Sequence, residues 1–163
     1  MSTKDRVIWT AKQEIGGIGP RQPTMEQLDK YMSSSGTGYG SYAAADKHTR
    51  DNWCGIFAVY CLNEGGISCY WGINPQINQW GICPLYDEIE VIYGSSGIMS
   101  GDVGVAVSQS HHFLIEEVVE EYDYVRCLEG NGSSPDAPPA WGGVLVAKGR
   151  TLGQVAWYYR IHY

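Results

Sequence analysis

Three places in the chain carry residue types suited to nucleophilic acyl chemistry. They are a cysteine in "DNWCGIFAVYCLNEGG" (51–66), a histidine pair opening "HHFLIEEVV" (111–119), and the acid and amide of "LEGN" (128–131). A thiol attacks a carbonyl carbon only as the thiolate, and both the positive end of a helix and a nearby imidazolium lower its pKa. Cys54, Phe57, Ala58, Cys61 and Leu62 fall at i, i+3, i+4, i+7 and i+8, the spacing of one helix face. Cys54 is thereby placed in the first turn, with Asp51 or Asn52 to cap its start and Gly65 its end. A lone cysteine on an apolar stripe more often fills space than reacts. That packing reading stands for Cys61, Cys69, Cys83 and Cys127.

The later segments change the weighing for Cys54. "HHFLIEEVV" reads as a strand, "EEYD" (120–123) as a turn and "YVRCLEG" (124–130) as the returning strand. Such a hairpin brings Glu129 and Asn131 back towards His111 and His112 at one end of a sheet. Thiolate, imidazole, and an acid or amide that fixes the imidazole tautomer are what nucleophilic catalysis requires. A zinc site from Cys54, His111 and His112 lacks regular ligand spacing.

The remaining sequence supplies the elements that hold these groups. Residues 3–15 carry Val7, Ile8, Ala11 and Ile15 at helical spacing and end at Gly16; 24–32 read as a second helix with a Thr24–Gln27 capping box. Residues 33–50, rich in Ser and Gly, read as a loop forming one wall of a cleft, and 67–100 as irregular apart from a weak helical hint at 84–93. From 101 onward the pattern is strands: 101–107, 111–119, 124–130, 141–149 and 155–163. Helices first and an antiparallel sheet afterwards predict an α+β fold. At 163 residues, with neither repeat nor linker, the chain reads as a single domain over 1–163.

A net charge of −7 with no basic stripe disfavours nucleic acid and anionic membranes as partners. The five cysteines include no CxxC pair, against both a disulfide framework and a zinc knuckle. No stretch has signal-peptide or membrane-spanning character, so the expectation is a chain made in the cytoplasm without a membrane anchor.

In "WCGIFAVYCLNEGGI", "SGDVGVAV", "HHFLIEEV" and "LEGN", taken in order, the chain resembles the CHAP amidohydrolase/peptidase family and its NlpC-type relatives. The resemblance spans about 51–131, with an echo at "AKQEIGGIGPRQPT" (11–24). It implies a papain-like fold and cleavage of peptidoglycan without metal or cofactor. Cys54 would be the nucleophile, one histidine the general base, and Glu129 or Asn131 its orienting group. A histidine followed by an apolar strand and an acid five residues on fits both His112 with Glu117 and His111 with Glu116; His112 is preferred, because Phe113, Leu114 and Ile115 continue the strand directly from it. Asp102 is expected to cap a turn. Backbone N–H groups at the helix head would stabilise the oxyanion, and Trp53, Trp71, Trp80 and Tyr39 are candidates to line the cleft.

The implied partner is the peptide stem of peptidoglycan, together with an immunity or inhibitor protein if the chain is an antibacterial effector. Delivery by a dedicated secretion machine is the expected route, and release as a phage lysin the other. The rival readings are a papain-like protease, deamidase or acyltransferase acting on a protein, and a non-catalytic binding domain.

Overall fold

A computed structural model describes residues 1–108, 111–132 and 143–163. The first helix, α1 (Thr3–Ile15), starts in a Ser2–Asp5 capping box and ends at Gly16 in the left-handed region; it buries Val7, Ala11 and Ile15, the stripe its sequence predicts. The second, α2 (Met25–Ser34), begins at the expected Thr24–Gln27 box and buries Leu28, Tyr31 and Met32. Inside the segment expected to be loop lies a five-residue helix, α3 (Lys47–Asp51), capped by Asp46. It leads into α4 (Trp53–Gly65), closed by Gly66 at φ 111°.

Helix α4 is buried nearly all round, where its spacing had predicted a single apolar face. A helix enclosed on every side belongs to the centre of a core. Its neighbours there include α1, α2 and the sheet, and Trp53, Ile56, Phe57 and Leu62 join Val7, Leu28, Tyr31, Leu114 and Leu128 in the main cluster.

The sheet has six antiparallel strands: β3 (Ile89–Tyr93), β4 (Val103–Ala106), β5 (His112–Val119), β6 (Tyr124–Gly132), β7 (Val144–Thr151) and β8 (Val155–Ile161), in the order β3-β8-β4-β5-β6-β7. One face carries Leu114 and Leu128 towards the helices; the other carries Phe113, Ile115, Val125, Cys127 and Tyr158 in a smaller cluster. The fold is α+β, as the order of patterns predicts. The first two residues of the strand expected at 141–149 lie outside the described residues.

Residues 67–100 are the main correction. They form β1 (Cys69–Asn74) and β2 (Gln79–Pro84), a separate antiparallel pair, and then β3 at the edge of the main sheet. The glycines that suggested irregularity are opposite each other in this pair, Gly72 against Gly81. A Cβ on Gly81 would lie 2.4 Å from the Tyr159 hydroxyl, and one on Gly72 2.8 Å from the Tyr70 ring, so each glycine makes room for a tyrosine.

Gly130, between Glu129 and Asn131, has a similar use. A Cβ there would lie 2.7 Å from Phe57 Cβ and 2.7 Å from Trp53 Cζ3, so the bare backbone of β6 presses directly on α4. Gly130→Ala is expected to lower unfolding stability by about 1–3 kcal/mol, the usual cost of overpacking. Chemical denaturation checks this, and an unchanged midpoint would mean that β6 and α4 have slack between them.

Candidate active site

Cys54 is the second residue of α4 and is 1% exposed. The Asn52 side chain makes no cap bond to the helix head; its amide donates to the His48 carbonyl at 2.8 Å. The first N–H groups of α4 are thus left without a side-chain acceptor from their own cap.

His111 stands one residue before β5, and its Nε2 meets Glu129 Oε1 at 2.6 Å. Glu129, fully buried in β6, is also gripped by Arg150 from β7, whose Nε donates to Oε2 at 2.9 Å and Nη2 to Oε1 at 3.0 Å. The Arg150 guanidinium lies 4.5 Å above the centre of the Phe113 ring. A planar fork on both carboxylate oxygens fixes the rotation of the group as well as its charge.

These contacts set the proton affinities. For Glu129, burial pushes the carboxyl up, but His111 and Arg150 outweigh it and hold it below its ordinary value. For His111, burial works against the charge, yet hydrogen bonding to Cys54 and Glu129 raises the imidazole to about 9. For Cys54, burial alone would push the thiol up; hydrogen bonding to His111 and then His112, with the attraction of their charges, brings it down to about 5. Since Nε2 of His111 faces Glu129, Nδ1 is the nitrogen left for the sulfur. Between about pH 5 and 9 a thiolate–imidazolium pair is the stable form.

His112 occupies a different setting. It is 4% exposed, within the rings of Trp71, Trp157 and Tyr159, and its Nε2 is 3.0 Å from the Tyr159 hydroxyl, which accepts the Ile82 N–H at 3.1 Å. Its Nδ1 has no partner at full hydrogen-bond geometry. The acid therefore meets His111, not His112, the histidine the sequence reading preferred. Strand β5 starts at His112, one residue after the expected start at 111, and that is the reason: the first strand residue on the helix-facing side is drawn in among the aromatic rings.

Asn131 does not reach either histidine. It sits at φ 53° and donates from Nδ2 to the Asp51 carbonyl at 2.9 Å, tying the end of β6 to the turn before α4. Asp102 takes the Met99 N–H at 2.9 Å across a turn and is bound by Arg160, remote from any reacting role.

Of the aromatic candidates, Trp53 is a core residue, fully buried and stacked with Tyr31 at 6.3 Å; its place at the helix head turns it inward, so it cannot line a cleft. Tyr39, Trp71 and Trp80 do share a groove of about 250 Å³ with Tyr70, Asp46 and Thr49. Trp71 is 2% exposed and offers only an edge, its ring lying between the Gly55 backbone and His112; Trp80 is 42% exposed. A second cavity, of about 210 Å³, opens beside His111. Arg150 is the site residue the sequence reading missed. Among the described residues no group of three His, Cys, Asp or Glu side chains is placed to hold a metal ion.

Neither a known protein-family profile nor a curated protein matches this sequence. Among solved structures, the crystal structure of a wild-type endolysin, LysIME-EF1, is similar, with a TM-score of 0.54 at 15% identity over 100% of this chain and 66% of that one. The chain thus spans 66% of that endolysin's length. At this identity the likeness is one of fold alone.

Proposed function

We propose that the chain is a cysteine amidase or endopeptidase that hydrolyses an amide bond in the peptide stem of bacterial peptidoglycan. The observation that carries the reading is the chain of contacts from Arg150 through Glu129 to His111 and Cys54, which stabilises a thiolate and an imidazolium side by side. The endolysin-like fold supports the wall as substrate, and of the two delivery routes it fits release as a lysin better than injection. The resemblance of the Cys, His and acid segments to the CHAP family points to the same chemistry on a papain-like scaffold.

In this mechanism the Cys54 thiolate attacks the amide carbonyl carbon, forming the C–S bond as the carbonyl π electrons move to oxygen. The oxyanion is met by backbone N–H groups at the head of α4, where the helix dipole favours negative charge. His111 gives its Nδ1 proton to the amide nitrogen, the C–N bond breaks, and the amine leaves. The neutral imidazole then takes a proton from water as the hydroxide adds to the thioester, and collapse releases the acid and regenerates the thiolate. Glu129 keeps the Nε2 proton in place throughout, and Arg150 keeps Glu129 ionised and aligned.

Digestion of purified sacculi tests the reading. Mass spectrometry is expected to find fragments that pair one new amine with one new carboxyl terminus, and intact sacculi would overturn it. Activity should rise through about pH 5 as the thiol ionises and fall through about pH 9 as the imidazolium loses the proton that the leaving amine needs. Iodoacetamide reports the sulfur itself: alkylation of the folded protein should have its midpoint near pH 5, against about 8.5 for an ordinary thiol. The other four thiols are all pushed up, so a signal at low pH belongs to Cys54. A midpoint above 8 would return Cys54 to plain packing.

A further inference from the structure

Beside His111 a cavity of about 210 Å³, sharing no lining residue with the aromatic groove, is lined by Ala106, Ser108, His111, Asn131 and Arg150. Two of these side chains are cations in the working pH range: the guanidinium at all pH values, and the imidazole of His111 below about 9. The acid that pairs with both is not in the wall. Glu129 is fully buried behind them, and its oxygens are taken by His111 Nε2 and by Arg150 Nε and Nη2.

Arg150 Nη1 makes no hydrogen bond among the described residues, although the side chain as a whole is only 14% exposed. Phe113 lies under the guanidinium, and Asn131 Nδ2 is committed to the Asp51 carbonyl. The wall therefore presents a fixed, half-used guanidinium next to an imidazolium, and no carboxylate among the described residues faces it. An anion of carboxylate size fits this charge and this volume.

Building on the proposed hydrolase, we infer that this cavity is a subsite for a free carboxylate of the peptide stem, held by Arg150 Nη1 close to the scissile amide. The same imidazole forms part of the cavity and protonates the leaving amine, so the recognised carboxylate belongs to a residue within one or two positions of the cut. The subsite makes the enzyme discriminate between stems whose acidic groups are free and stems in which they are amidated. Amidation keeps size and shape but replaces an anionic acceptor with a neutral group whose nitrogen can only donate, against a donor-only guanidinium.

Synthetic stem peptides decide this, prepared as pairs that differ at one acidic position at a time by carboxylate or carboxamide. At one position the wild-type protein is expected to show a preference for the carboxylate of roughly tenfold or more in kcat/KM, the range of a charge-assisted hydrogen bond. Arg150→Lys should shrink that ratio, and the ratio is the readout because the variant also disturbs Glu129. Titration of the same pairs into Cys54→Ala protein measures binding without turnover. Equal kcat/KM and equal binding at every position overturn the subsite and leave the hydrolase standing. Tighter binding of one carboxylate, lost in a Cys54→Ala, Arg150→Lys double variant, supports the subsite even if no peptide is cut, an outcome that would overturn the hydrolase alone.

Discussion

Cys54→Ala is expected to abolish release of wall fragments, with a fall in rate on the order of 10⁶, the size seen when a covalent nucleophile is removed from an enzyme. The fold should survive, because one sulfur at the head of an otherwise complete helix is a small loss in a core of this size. Cys54→Ser sharpens the test: it keeps the shape, but a hydroxyl lacks the ready ionisation that puts the thiol at about 5, so it too should be inactive. Cys61→Ala is the control. Its thiol is fully buried and pushed well up by burial, and its loss should leave the rate unchanged. Wall cleavage undiminished in Cys54→Ala would remove this sulfur from the mechanism.

His111→Ala is expected to lower kcat/KM by about 10² to 10⁴, the usual contribution of positioned proton transfer. It should also move iodoacetamide alkylation of Cys54 upward in pH. The sign follows from the contacts: burial favours the neutral thiol, and His111 gives the largest opposing contribution. His112→Gln should also weaken the acid shift, because His112 bonds to and attracts the same sulfur, but it should cost less rate, since Glu129 is paired with His111. A larger loss of rate in His112→Gln than in His111→Ala, at equal folded fraction, would restore His112 as the base.

The contrast between these two histidines shows how far the sequence could be read. The helical spacing of 3–15, the capping box at Thr24 and the strand pattern after residue 101 are local signals, and the elements they announce are present. The thiol, an imidazole and the acid were legible as types in order along the chain. Which imidazole was not, because neighbours on a strand point to opposite faces and only the packing of Trp71, Trp157 and Tyr159 decides which ring is enclosed. Arg150 was invisible for another reason. In register it opposes Val125, not Glu129, and its side chain runs back along the β6–β7 pair to reach the carboxylate. Residues 67–100 misled because a glycine is a breaker to any local rule, whereas Gly81 is needed by a tyrosine 78 positions later.

None of the five cysteines is in a disulfide, and all are buried. While the protein stays folded, Cys61, Cys69, Cys83 and Cys127 are kept from oxidants without any crosslink, and Cys54 is the one sulfur that a reagent or substrate has to reach. Heat or denaturant reverses this protection at a stroke, because four inert thiols appear together with the reactive one. In air the chain can then lock itself into wrong bridges. Before unfolding, reductant would protect Cys54 alone; after it, all five sulfurs would depend on it.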